Sequence, residues 1–295
     1  MKVVSLLPSA TEILFALGLG DQLVGVTHEC DYPAEALARP RVTSTALPAS
    51  SLTSGQIDAG INELLEAGES IYHLDVDLLE SLQPDLILTQ ELCDVCAVAY
   101  SEVNRAALAV SSEPRVVSLE PTGIGEVLES ILTVGSLCDA RAEADALVAQ
   151  LRGRLDRVRM NAADLRARKR VWCAEWLDPP MRAGHWVPEQ VELAGGIETF
   201  GRRGEPSTKC TWDEVRAYAP EVIVLMPCGF ELERTFEEAT LLPSDLRASI
   251  EAWAVNGSAY FSRPGPRLVD GVEILGHILG TYHGVLPDAA VSRLQ

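Results

Sequence analysis

The sequence predicts an α/β protein built as two Rossmann-like lobes joined by a single long helix. Three observations predict it. Apolar, strand-like runs alternate with helical patterns through the first half of the chain. A proline-free amphipathic stretch follows over about 140–168, and the alternation then restarts and continues towards the end. The boundaries this implies are 1–138 for an N-terminal α/β lobe, 139–168 for a connecting helix and 169–295 for a C-terminal α/β lobe. Alternating strand and helix argues a largely parallel sheet with helices on its faces.

Taken in order, Val3–Leu7 reads as the first strand and runs into Pro8-Ser9. Ser9 stands three residues before Glu12, the spacing of a capping box, so a helix is expected to begin there and stop at Gly18 or Gly20. Leu23–Val26, Leu86–Thr89 and Arg115–Leu119 are further strands, the second of them set off by the turn Gln83-Pro84-Asp85. A helix is expected from about Gly123 to Leu137. In the long stretch, Ala144, Leu147, Val148, Leu151, Leu155 and Val158 fall on one face at helical spacing, with charged residues around the rest. Beyond it come a strand over Arg170–Ala174, helices over Glu189–Ala194 and Trp212–Ala217, a strand over Val222–Met226 and a helix over Asp270–Tyr282. The last of these carries Val272, Ile274, Leu275, Ile278, Leu279 and also His277 on its inward side.

Composition narrows the function. The 295 residues are 47% hydrophobic, enough for two cores. A net charge of -19 opposes binding to nucleic acid and to anionic lipid. No apolar run is long enough to cross a bilayer, so no membrane insertion is expected. Pro8 and Glu12 interrupt the apolar start, which reads as a structural strand and not as a removable leader; a cytoplasmic location follows as the expectation. Seven cysteines without the spacing of a disulfide scaffold fit free thiols in that compartment.

Ligands of open α/β sheets sit beyond the carboxyl ends of the strands. At those positions the sequence offers Pro8-Ser9, the run Thr27–Pro33, the run Gln90–Cys96, the run Glu175–Pro180, Pro227–Phe230 and Tyr260–Pro264. In a chain that is only 5% aromatic, this clustering marks a ligand surface suited to a large, mostly apolar organic molecule. Tyr32, Trp176, Trp186, Phe230 and Phe261 are the candidates for packing on it, with Pro8, Ser9 and Pro180 shaping it through backbone groups. Cys93 and Cys96 have the spacing of a metal knuckle, and His28 and Cys30 lie on a neighbouring loop; the four make a candidate site for zinc or iron. The alternative is that these cysteines are small buried apolar residues, the reading also given to Cys138 and Cys173. The sequence lacks a Gly-x-Ser-x-Gly elbow, a phosphate-binding glycine loop and a His-Glu-x-x-His motif, so no catalytic residue is assigned. Among the histidines, His185 beside Trp186 is the better functional candidate.

Several of these segments together resemble a known family. Ser5-Leu6-Leu7-Pro8-Ser9-Ala10-Thr11-Glu12, followed by Asp31-Tyr32-Pro33, resembles the opening of the periplasmic cobalamin-binding proteins. Leu82-Gln83-Pro84-Asp85-Leu86-Ile87 is similar to a strand motif that these share with siderophore receptors. Asp178-Pro179-Pro180, then Glu192-Leu193-Ala194-Gly195-Gly196, and finally Ser262-Arg263-Pro264-Gly265-Pro266-Arg267 continue the likeness in the right order. The resemblance implies the class III, helical-backbone receptor fold and non-catalytic binding of a cobalamin-like corrinoid between two lobes, for uptake, storage or hand-over. It also implies an ABC permease partner docked through acidic residues, for which Glu102 and Asp213 are the nearest candidates by position; from their place at the expected cleft, His28 or Cys30 would approach the cobalt. By family analogy the location would be periplasmic or extracellular. Three features depart from the pattern: the start of the chain, the long connection over about 44–72, and the cysteine set. The rivals are a haem or ferric-siderophore binder, a cytosolic thiol- or metal-dependent enzyme acting on a corrinoid through Cys93 and Cys96, and a structural metal site with a protein partner.

Overall fold

A computed structural model describes residues 1–90 and 100–294. The chain divides into two compact units, Met1–Pro121 with Leu128–Val148, and Thr122–Val127 with Ala149–Gln295.

The first unit is built on a four-stranded, all-parallel sheet. Its strands are β1 (Val3–Ser5), β2 (Leu23–Val26), β5 (Leu86–Thr89) and β6 (Arg115–Ser118), in the order β2-β1-β5-β6. Helices α1 (Pro8–Ala16), α3 (Val76–Leu82) and α4 (Tyr100–Ala109) accompany it, with α2 (Ser54–Ala67) and a small antiparallel pair, β3 (Thr43–Thr45) and β4 (Tyr72–Leu74), in the long connection after β2. One core joins Val4, Leu6, Val42, Leu79, Ile87, Val103 and Val110. Burial of each such side chain contributes roughly 1.5–3 kcal/mol.

Helix α1 corrects the expected cap. Leu7 is the N-cap, with extended backbone, and makes no side-chain cap; Pro8 occupies the first helical turn. Proline is preorganised for that turn and has no N–H to satisfy there. Ser9 and Glu12 are therefore both buried inside the helix and do not form a capping box. A real capping box starts α2, where the Gln56 N–H donates to Thr53 Oγ1 and the Thr53 N–H donates to Gln56 Oε1.

The second unit holds a six-stranded mixed sheet. Strands β7 (Val171–Leu177), β10 (Val222–Leu225) and β11 (Glu251–Val255) are parallel to one another; β8 (Pro180–Arg182), β9 (Thr208–Lys209) and β12 (Val291–Arg293) are antiparallel additions, giving the order β12-β11-β10-β7-β8-β9. Helices α7 (Val187–Leu193), α8 (Trp212–Tyr218), α9 (Leu232–Glu238), α10 (Ser244–Ser249), α11 (Gly257–Tyr260) and α12 (Leu268–Leu279) complete it. Trp172, Ile223, Leu225, Leu246 and Ala254 share one core on a sheet face.

Helix α5 (Ile124–Leu137) starts in the second unit and continues in the first, and α6 (Arg141–Ala163) passes from the first unit to the second after Val148. The expected apolar stripe of α6 is buried at Ala144, Val148, Leu151, Leu155 and Val158. Helix α12 corrects a second expectation. His277 is exposed, and stands edge-on to Trp253 at 6.3 Å between ring centroids. The inward face is supplied instead by Leu268, Val272, Ile274, Leu275 and Ile278, together with Glu273, which Arg154 of α6 neutralises.

Candidate functional site

In the first unit, the carboxyl ends of β1 and β2 carry two segments tied together by short polar bonds. The Ser5 hydroxyl donates to the Leu7 carbonyl at 2.8 Å, and the Thr11 hydroxyl donates to Ser5 Oγ at 2.9 Å. The same Thr11 oxygen lies 3.1 Å from Cys30 Sγ. Cys30 is thus turned into the unit and fully buried, so it does not present a thiolate at the sheet edge. Arg41 Nη1 donates to the carbonyls of Thr27 and Cys30, each at 2.6 Å, which fixes the loop that follows β2. Its charge is spent on backbone oxygens.

His28 is held by the connection that distinguishes this chain. Its Nδ1 lies 2.8 Å from Thr43 Oγ1 of β3, and its ring is tilted against Tyr72 of β4 at 5.3 Å. Its Nε2 stands 3.3 Å from a Glu29 carboxylate oxygen. With His28 engaged in this way and Cys30 facing the core, the proposed zinc or iron site is not supported. Among the described residues no three His, Cys, Asp or Glu side chains are grouped to hold a metal ion. Cys93 and Cys96 lie outside the described residues. Pro8 and Ser9 sit at the start of α1, Ser9 buried; Tyr32, by contrast, remains nearly half exposed, at 47%.

In the second unit, aromatic side chains gather at the carboxyl edge of β7, β10 and β11. Trp176, near the end of β7, packs against Phe230, which follows β10, with 5.1 Å between centroids and a 56° tilt. The indole N–H of Trp176 donates to the Asp178 carbonyl at 3.0 Å, and both rings of the pair are buried. The guanidinium of Arg234, in the first turn of α9, lies 3.6 Å above the Phe230 ring. Partial burial lowers the Arg234 pKa, opposed by Glu238 and Glu237. Trp186 donates its indole N–H to the Phe261 carbonyl at 2.7 Å, and both residues are buried. Pro180 is buried in β8, where its carbonyl accepts from the Cys210 N–H at 2.9 Å. Tyr260, just before Phe261, has Arg267 at 5.7 Å from its ring.

The turns that carry these residues need small side chains. A Cβ on Gly257 would stand 2.4 Å from the Pro227 carbonyl, so glycine lets the segment after β11 cross the one after β10. There the Ser258 N–H donates to the Phe230 carbonyl at 3.0 Å. Below this edge Glu175 accepts a hydrogen bond from Ser207 Oγ at 2.5 Å, and Ser207 Oγ in turn accepts from the Gly184 N–H at 2.9 Å. Burial raises the Glu175 pKa, while those two donors pull it down. His185 adopts a left-handed backbone (φ 48°) and stacks on Trp186 at 5.4 Å; burial lowers its pKa, favouring neutral imidazole.

Sequence reasoning points to the aromatic positions at this edge but not to Arg41, Thr43 or Arg234, which the fold brings beside the candidate residues. Arg234 had a legible signal, because it stands four residues after Phe230 at the start of a helix. Arg41 and Thr43 had none, since their contacts join segments that are apart in sequence. The two acidic candidates lie on helices: Glu102 in the first turn of α4 and Asp213 in the first turn of α8. Arg216 holds the Asp213 carboxylate at 3.0 Å on the surface.

A family model described as "Periplasmic binding protein" matches residues 3–257. The chain belongs to the periplasmic binding protein family. The likeness read from the sequence therefore stands at the level of family and of its class III fold. A "Vitamin B12-binding protein" of Vibrio cholerae is 22% identical over 284 residues, 92% of this chain and 86% of the relative. Among solved structures, the periplasmic vitamin B12 binding protein BtuF of Vibrio cholerae superposes with a TM-score of 0.66 at 22% identity, covering 95% of this chain and 96% of that one. A periplasmic heme binding protein from Pseudomonas aeruginosa superposes with a TM-score of 0.73 at 17% identity, over 99% and 97% of the two chains. Identities this low establish the fold of this periplasmic binding protein and leave its ligand to be argued from the residues.

Proposed function

We propose that this periplasmic binding protein is a non-catalytic carrier of a cobalamin-like corrinoid. The observation that carries the reading is the Trp176–Phe230 pair at the carboxyl edge of the second unit's sheet, in a chain whose Vibrio cholerae relative is named for vitamin B12 along nearly its whole length. Flat aromatic faces suit the rim and side chains of a tetrapyrrole, and aromatic anchors dominate the affinity of such sites. Tyr32 in the first unit, with its half-exposed ring, suits the same kind of surface. Haem is the second reading, favoured by the heme-binding structural neighbour.

Titration calorimetry with cyanocobalamin, cobinamide and haem tests this directly. One corrinoid bound per chain is the expected result; silence with both corrinoids alongside binding of haem would move the assignment to the second reading. Trp176→Ala is expected to weaken corrinoid binding by about 2 kcal/mol, the scale of a buried aromatic anchor. Trp176→Phe, which keeps a ring against Phe230, should recover most of that loss; equal binding by wild type and both variants would remove Trp176 from the site.

For delivery, Glu102 and Asp213 are proposed as the contacts to an ABC permease. Asp213 would exchange its surface pair with Arg216 for a basic pocket on the partner. Such an exposed i,i+3 pair is screened by water, and Arg216 keeps Asp245 as a second partner, so the exchange meets little obstacle.

A further inference from the structure

The first unit carries a basic pocket at the end of its sheet opposite the strand carboxyl ends. Arg115 is the first residue of β6 and so stands at the amino edge of the sheet. With α5 and the start of α6 it lines an open pocket of about 420 Å³. Small-molecule sites typically enclose about 300–1,000 Å³. We infer that this pocket binds a small organic acid, with its carboxylate or phosphate head on Arg115 and Arg141 and its apolar body on Leu132 and Leu137. The inference goes beyond the corrinoid-carrier reading and does not depend on it.

Arg115 supplies the charge. Among the described residues its guanidinium makes no ion pair or hydrogen bond, in a chain where 43 Asp and Glu stand against 24 Lys and Arg. Its N–H donors are therefore left for an incoming anion. Arg141, the first residue of α6, is held in place: its Nε donates to Asp145 at 3.0 Å and its Nη1 to Ser136 Oγ at 3.2 Å. Ser136 Oγ donates in turn to the Leu132 carbonyl at 2.8 Å, which ties this guanidinium to α5. The other terminal nitrogen, Nη2, makes no bond among the described residues. Guanidinium forks match the oxygens of a carboxylate or phosphate with charge-assisted bonds. Glu129 also lines the pocket, so the lining sets two cations against one carboxylate. That balance, inside a chain of net charge -19, suits one small head group and opposes a polyanion. Leu132 and Leu137 are half-buried and present apolar surface beside the head.

Amide chemical-shift titrations at low ionic strength with phenyl phosphate, benzoate and inorganic phosphate test this. Wild type, Arg115→Gln, Arg115→Lys and Arg166→Gln are compared. Wild type should bind phenyl phosphate or benzoate with saturating shifts at Leu132, Ser136 and Leu137. Arg115→Gln should weaken that binding about ten-fold, the scale of one charge-assisted bond. Arg115→Lys should keep part of it because the charge remains. Arg166→Gln removes the same charge from an exposed position outside the pocket and should bind as wild type does. Tighter binding of phenyl phosphate assigns a phosphate head, and of benzoate a carboxylate. Inorganic phosphate should bind more weakly than phenyl phosphate, since it leaves Leu132 and Leu137 uncovered; equal binding of the two would overturn the apolar half of the inference. Equal weakening in Arg115→Gln and Arg166→Gln would reduce the effect to net charge and overturn the site, as would absence of shifts along α5 with all three probes. Corrinoid affinity should be the same in Arg115→Gln as in wild type. A parallel loss would place Arg115 on the corrinoid surface and overturn its assignment to a separate site, whereas a wild type that binds no corrinoid would overturn only the carrier reading.

Discussion

Replacing Arg154 with methionine is expected to destabilise the second unit by about 3–5 kcal/mol, the cost of stranding buried carboxylates without their counter-ion. Arg154 leaves α6 and reaches two acids of α12. Its Nε donates to Glu273 at 2.9 Å and one terminal nitrogen donates to the other Glu273 oxygen at 2.5 Å, while the same nitrogen contacts Asp270. The three side chains are no more than 20% exposed. Burial raises the Asp270 pKa even with the guanidinium beside it, so the folded state already resists that charge. Removing the cation strands both acids between α6 and α12 without a counter-ion. Urea unfolding at pH 7 measures the loss, and the loss should shrink as the pH falls and Asp270, whose pKa burial raises, takes up its proton. Arg154→Met combined with Asp270→Asn and Glu273→Leu should restore most of the stability, because the uncharged replacements leave no buried charge. A single variant as stable as wild type would show that the network is solvated and contributes little.

That network also marks where sequence reading ends. The strands Leu23–Val26 and Leu86–Thr89 were legible because short apolar runs are bounded by turn residues, and they lie where expected. The stripe of α6 was legible because its period is helical. The small β3–β4 pair was not, since three-residue strands carry little pattern and pair across a long connection. At Ser9 the spacing suggested a cap, but Pro8 begins the helix a residue earlier and draws Ser9 inside. On α12 the buried surface is so broad that apolar spacing could not choose which position faces out, and His277 does. The same limit governs the site. The rule that ligands meet strand carboxyl ends points to Trp176, Phe230 and Phe261, and Trp186 follows from its loop beside His185. Neither shows that all four rings are buried, nor that Trp186 donates to the Phe261 carbonyl while Trp176 packs on Phe230. Burial and partners depend on contacts distant in sequence, and those are what the fold supplies.

Glu198 gives the chain a built-in dependence of stability on pH. Its carboxyl is 9% exposed in the loop after α7 and accepts from the Gly201 N–H at 2.9 Å. Burial pushes its pKa up from 4.5 to about 7, against the opposing pull of the Gly201 and Phe200 N–H groups and of Arg182. A carboxyl raised in the folded state binds its proton more tightly there than in the unfolded chain. Its favourable contribution is therefore complete below about pH 4.5 and is lost as pH rises through 7. A shift of this size corresponds to about 3 kcal/mol over that window. Glutamine at this position keeps an acceptor for Gly201 and cannot ionise. Glu198→Gln is accordingly expected to match wild type near pH 4.5 and to exceed its stability by about 1–3 kcal/mol at pH 8, less whatever the amide loses in hydrogen-bond geometry. Denaturant unfolding of both proteins at several pH values provides the comparison, with the difference between them as the readout. A difference that stays constant from pH 4.5 to 8 would show that Glu198 titrates alike in the folded and unfolded chains. A difference that grows with pH and levels off near pH 8 would identify Glu198 as the group responsible. The flanking contacts make the effect local: Phe200 stacks on Tyr218 at 5.1 Å and carries Arg182 at 4.8 Å, so ionisation strains the loop before β9 without touching the Trp176–Phe230 edge. Ligand affinity measured at pH 6 and pH 8 should therefore change equally in wild type and Glu198→Gln, while their stabilities diverge.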